Sequence, residues 1–117
     1  MIGESYRDLI VWQRAVQLSV ALYKLTATFP REELYGLTSQ LRRAGVSVAS
    51  NIAEGYGRRS TGEYKQFLGM ARGSNMEVQT QLVIAGELGF GDPVKFKESE
   101  SLSHEVGKML VAMMNKI

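Results

Sequence analysis

The chain has 117 residues, 44% of them hydrophobic and 22% charged, with a formal net charge of +2. That is the size and composition of one soluble folding unit with a modest core, which excludes the disordered and fibrous classes. Cysteine is absent, so disulfide frameworks and thiolate metal sites are excluded and a reducing compartment, the cytoplasm, is expected.

The opening MIGESYRDLIVW carries acidic and polar residues where a secretory signal needs a basic start and an apolar run. No run of about 18 apolar residues occurs anywhere, so neither export nor membrane spanning is expected. Residues 1–60 hold eight Lys or Arg against five Asp or Glu, and residues 61–117 hold six against seven. The first half is the more basic, which permits a basic face without demanding one.

In chain order, Leu9, Trp12, Val16, Ser19, Tyr23 and Ala27 recur at spacings of three and four, with Ala15 and Leu22 beside them, and predict an amphipathic helix over 6–28. Phe29-Pro30 should end it, because the residue before proline is pushed out of helical geometry. Leu34, Leu37, Leu41, Ala44, Val48 and Ile52 predict a second helix over 31–54, stopped by Gly55 and Gly57. Ser60 with Glu63 matches a capping box that opens a third helix over 61–87, with Tyr64, Phe67, Leu68, Ala71, Asn75, Val78, Leu82, Ala85 and Leu88 inward.

Gly69 and Gly73 lie four apart on that helix, with Gly62 further along. Each costs about 1 kcal/mol relative to alanine, and close packing of a neighbouring backbone would explain the cost. Gly89, Gly91 and Asp92-Pro93 mark a corner before a fourth helix over 93–116, carrying Phe96, Leu102, Val106, Met109, Leu110 and Met113 on one side. Four amphipathic helices with short links predict an all-α, up-down-up-down four-helix bundle forming a single domain.

Polar residues facing the bundle are expected to form a hydrogen-bonded network that fixes register, with Asn51, Glu54, Glu77 and Gln81 as its members. Glu54 and Glu77 are also the carboxylates to weigh as metal ligands. A di-metal bundle supplies Glu-x-x-His pairs from its helices, and this chain has no such pair and one histidine, so no metal or other cofactor is expected. His104, between Leu102 and Val106, reads as a surface or boundary residue. No nucleophile elbow singles out a serine, and Gly55-Tyr56-Gly57 follows no strand, so no enzyme signature is present.

The best electrostatic candidates are Arg42, Arg43, Arg58, Arg59, Lys65 and Arg72, as a phosphate-binding surface with Tyr56 close by. The competing readings are solvated or ion-paired arginines and a protein interface. Trp12 and the tyrosines at 23, 35, 56 and 64 suggest base stacking, but Trp12 and Tyr23 lie in the apolar stripe and are expected in the core. Met109, Met113 and Met114 give the last helix an adaptable apolar edge suited to self-association.

The separated motifs LIVWQRA (9–15), TFPREELYGL (28–37), QLRRA (40–44), NIAEGYGR (51–58) and FLGMARGS (67–74) together resemble the bacterial four-helix bundle family named for proteins encoded in intervening sequences of 23S ribosomal RNA genes, also labelled a ribosomal S23 family. The resemblance implies a bundle that assembles into a ring, typically a homopentamer, without established enzyme activity. A similar bundle is the accessory protein of diversity-generating retroelements, where a basic pentameric barrel binds reverse transcriptase and nucleic acid. By that analogy Arg42, Arg43 and Arg58 would contact RNA or an interface. The resulting expectation is a non-enzymatic oligomeric scaffold for structured RNA or a nucleic-acid-handling protein; the alternative is a protein-interaction adaptor that never touches nucleic acid.

Overall fold

The computed structural model describes residues 5–117, and all its long elements are α-helices. These are α1 (Ile10–Thr26), α2 (Leu37–Tyr56), α3 (Thr61–Glu87) and α4 (Pro93–Lys116), with short 3₁₀ turns at Tyr6–Asp8 and Arg31–Glu33. The four helices pack in cyclic order, α1 against α2 and α4, and α3 against α2 and α4, so each touches its chain neighbours and the bundle closes between α1 and α4. Its extents are 44 × 22 × 20 Å.

The first helix is shorter than the expected 6–28. Ser5 Oγ accepts from the Arg7 N–H and caps a separate turn, and Leu9 takes an extended conformation (φ −75°, ψ 122°) that breaks the path before α1 begins. At the other end the Thr26 and Thr28 hydroxyls donate back to the carbonyls of Leu22 (2.7 Å) and Leu25 (2.6 Å), so both hydroxyls are satisfied within the last turn. The second helix also differs from the expected 31–54: a 3₁₀ turn occupies Arg31–Glu33, and α2 starts only after Gly36. The Glu33 carboxylate accepts from the Leu37 N–H at 3.1 Å and so supplies the N-terminal acceptor that Gly36 lacks.

The α2–α3 corner is an ordinary helix end and cap. Gly57 closes α2, and Ser60 Oγ accepts from the Glu63 N–H at 3.1 Å to open α3. At the α3–α4 corner Gly89 and Gly91 both have positive φ, 72° and 90°, a region that favours glycine. Asp92 then caps α4 through the Lys95 N–H, with its own N–H held by Thr28 Oγ1.

The core divides into two apolar clusters along the axis. One joins Leu18, Leu22, Leu25, Phe29, Leu37, Leu41, Val78 and Leu82; the other joins Val11, Ala15, Val48, Ile52, Leu68, Val106 and Leu110. The buried face of α1 is therefore Val11, Ala15, Leu18, Leu22 and Leu25. That is one position round from the expected stripe: Trp12, Val16 and Ser19 are half-buried, while Tyr23 and Ala27 are exposed.

The expected close packing over Gly69 and Gly73 is not what the single chain shows. A Cβ at Gly73 would meet nothing within 4 Å, and one at Gly69 would meet only the Met114 methyl at 3.8 Å. The close approaches fall on α2, where Gly45 faces Leu22 of α1 and Gly55 faces Phe67 and Tyr64 of α3.

Candidate nucleic-acid interface

Side-chain contacts between α2 and α3 set the level of each basic residue. Ser47 Oγ and Ser74 Oγ lie 2.9 Å apart, and Gln81 Nε2 donates to Gln40 Oε1 at 3.3 Å. In this antiparallel register Arg42 and Arg58 are separated by sixteen residues, or about 24 Å at 1.5 Å per residue. The six basic candidates therefore fall into three places along the bundle rather than one.

The first place joins the end of α1 to the start of α2. Arg42 reaches across to α1: its Nε–H donates to Thr26 Oγ1 at 2.8 Å, and Nη2 donates to the Tyr23 carbonyl at 3.4 Å. Its guanidinium carbon lies 4.6 Å from the centroid of the Tyr23 ring, a cation–π contact. Beside it is a notch of about 400 Å³ lined by Tyr23, Leu34, Tyr35, Arg42 and Arg43 together with small polar residues and no carboxylate. Tyr35 is 92% exposed, the highest value among the large apolar and aromatic side chains described.

The second place is the α2–α3 corner, where Arg58 lies 4.5 Å over the Phe67 ring and Arg59 and Lys65 are exposed. The third is a groove of about 560 Å³ between α3 and α4, where Arg72 faces His104 and Lys108 over Met76 and Gly107. His104 and Lys108 are four apart on one helix, a spacing that puts them on one face and was readable in the sequence.

Among the described residues the one ion pair is Arg14–Glu105, 3.0 Å, between α1 and α4. Arg43, Arg59, Lys65 and Arg72 are exposed and have no carboxylate partner among those residues. Tyr64 packs edge-on to Tyr56 with ring centroids 6.2 Å apart. Burial, and next the neighbouring Tyr56, raise the Tyr64 phenol above its ordinary value of 10.0.

The polar network expected from Asn51, Glu54, Glu77 and Gln81 divides. Asn51 Nδ2 donates to the Ser47 carbonyl (2.9 Å) and hydroxyl (3.0 Å), and Gln81 is buried against Gln40. Glu54 and Glu77 are both exposed. The register puts Glu54 level with Phe67, so it stands about 15 Å along the axis from Glu77, and the two carboxylates do not converge. Sequence reasoning missed the most buried polar pair: Asn75, 1% exposed, donates from Nδ2 to the Ser103 carbonyl (2.9 Å) and accepts from the Ser103 hydroxyl (2.8 Å).

No group of three or more His, Cys, Asp or Glu among the described residues is placed to hold a metal ion. Among the described residues no helix is long and apolar enough to cross a membrane.

A family profile described as 23S rRNA-intervening sequence protein matches residues 7–112. No curated protein matches the chain. Among solved structures, a 1.70 Å crystal structure of a protein of unknown function from the S23 ribosomal protein family of Bacteroides thetaiotaomicron is similar, with a TM-score of 0.80 at 18% identity. The alignment covers 90% of this chain and 98% of that one, and it shows a shared fold.

Proposed function

From the premise that this chain belongs to the 23S rRNA-intervening sequence protein family, we propose that it works in the cytoplasm as a non-enzymatic oligomeric scaffold that associates with structured RNA or a nucleic-acid-handling protein. The observation that carries this reading is the set of exposed cations left without acids among the described residues: Arg43, Arg59, Lys65 and Arg72. They remain available for charge-assisted contacts to an anionic partner.

Self-association, as a pentamer by family resemblance, is supported by the outward face of α3. Gly62, Gly69, Met76 and Val83 repeat there every seven residues, and Met70 and Ile84 are also exposed. Each copy adds +2, so a ring would gather patches that are weak singly.

The test is RNA binding by the purified protein across a salt series, with molecular mass followed in the same solutions. Affinity that falls with salt while the oligomer stays intact is expected. An intact oligomer that binds no RNA at low salt would replace this reading with the protein-interaction adaptor.

A further inference from the structure

The notch between the end of α1 and the start of α2 combines two features that a salt-bridging surface does not need. Tyr35 stands almost wholly in solvent on the turn before α2, where burial of its ring would stabilise the fold and none occurs. Tyr23, 46% exposed, forms another wall, and its ring orientation is fixed by Arg42. Arg42 is itself held by Thr26 Oγ1 and the Tyr23 carbonyl, so the cation and the ring are ordered before any ligand arrives.

Arg43 follows on the same notch, exposed and without a partner among the described residues. The acid nearest in sequence, Glu33, is occupied in capping Leu37, and no carboxylate lines the notch. Every base has a face that stacks on an aromatic ring, and every nucleotide carries a phosphate for a guanidinium. Single strands and loops present both together, whereas duplexes bury their base faces.

We propose that the Tyr23–Tyr35 notch is a seat for one unpaired nucleotide of a single-stranded RNA segment, the base stacking on Tyr35 and the backbone phosphate meeting Arg43. This rests on the RNA reading above and narrows it to one end of the bundle and to unpaired RNA. Arg42 acts as a positioning residue that holds the Tyr23 wall.

The test uses the full chain and a labelled oligouridylate of about 12 nucleotides, within the span common for single-strand sites, read by fluorescence anisotropy over a salt series. Tyr35→Ala is expected to weaken binding about 5- to 150-fold, the range that loss of one base stack gives, while Tyr35→Phe retains it. Arg43→Gln should lower the salt slope by about 0.7, the value for one phosphate on a single strand. Lys116→Gln, at the opposite end of the bundle on the last turn of α4, should leave affinity within about twofold.

Oligouridylate binding that Tyr35→Ala leaves unchanged, whatever Arg58→Gln/Arg59→Gln does to it, would overturn the notch and leave the RNA reading standing. So would binding of duplex RNA alone, or a Tyr35→Ala protein that loses its oligomeric mass, which would put the ring in a subunit interface. Displacement of the oligonucleotide by UMP at matched phosphate concentration would overturn the strand in favour of a free nucleotide. Absence of binding to any RNA at low salt would overturn the RNA reading and the notch together.

Discussion

Three glycines on the long helices separate packing from propensity, because the space above them differs while the substitution is the same. Replacing a mid-helix glycine by alanine gains about 1 kcal/mol when nothing is in the way. At Gly73 nothing lies within 4 Å, so Gly73→Ala should gain that amount in the isolated bundle. At Gly45 the new methyl would meet Leu22 Cδ1 at 2.7 Å. That contact is the end of a side chain, which can turn aside inside a packed core at a cost of about 1–2 kcal/mol, leaving the net change between zero and a small loss.

At Gly55 the methyl would meet Phe67 Cβ at 2.7 Å, Tyr64 Cδ1 at 3.1 Å and the Tyr64 carbonyl oxygen at 3.3 Å. Cβ and carbonyl atoms move only with the backbone, so relief requires parting α2 from α3. The cost belongs at the upper end of overpacking, about 3 kcal/mol, for a net loss of about 2 kcal/mol. For 117 residues the unfolding entropy is about 0.25 kcal/mol/K, so each kcal/mol shifts Tm by about 4 °C.

Helical circular dichroism during heating, at one protein concentration low enough to keep the bundle monomeric, should therefore give Gly55→Ala about 8 °C below the parent protein, Gly45→Ala between zero and about 4 °C below it, and Gly73→Ala about 4 °C above. A Gly55→Ala protein as stable as its parent, or less harmed than Gly45→Ala, would refute the packing argument.

The buried pair between α3 and α4 makes a second prediction: Ser103→Ala leaves Asn75 Oδ1 without its 2.8 Å donor and should cost about 1–3 kcal/mol in urea unfolding, with no cost meaning that the bond is not formed. Ser60→Ala removes the α3 cap and should lose about 1 kcal/mol, whereas Ser60→Gly loses only a few tenths, as read by the urea midpoint at unchanged slope. The raised Tyr64 phenol favours the neutral form in the fold, so its contribution is fully present below the unfolded value near 10 and is lost as pH rises through the folded value. Tyr64→Phe should flatten that alkaline loss of stability, and parallel alkaline curves for the two proteins would contradict it.

The bundle was legible because three- and four-residue spacing survives small errors of phase, and because proline, glycine and caps mark the corners locally. The phase itself was not legible on α1. Apolar residues cover more than half its circumference, so Trp12, Val16 and Tyr23 compete with Leu18, Leu22 and Leu25 for the inside. Tertiary packing resolves that competition by burying the aliphatic side chains and leaving the aromatic ones at the boundary. Similarly, Arg42 and Arg43 are readable as a basic pair, but the division of labour between them is not. Arg42 is recruited by a threonine sixteen residues earlier, and Arg43, pointing about 100° away, stays free. Asn75 escaped because it falls on the apolar stripe, where only a partner on another helix explains an amide.

The outward face of α3 breaks a local rule without compensation inside the chain. Gly69 and Gly73, both inside the helix, together cost roughly 2 kcal/mol of helix propensity. Among the described residues the atoms a Cβ at Gly62, Gly69 or Gly73 would meet within 4 Å are Ser60 Oγ at 4.0 Å and the Met114 methyl at 3.8 Å. Natural sequences keep such a cost where something else offsets it, and close approach of a second copy would do so. Gly73→Leu tests this directly, because the open space above Gly73 accommodates the side chain in one bundle but not beneath a neighbouring helix. Light scattering should show a smaller assembly for Gly73→Leu, with its helical signal retained. An oligomer of unchanged mass would remove α3 from the subunit contact, and a parent protein that is monomeric throughout would remove the ring.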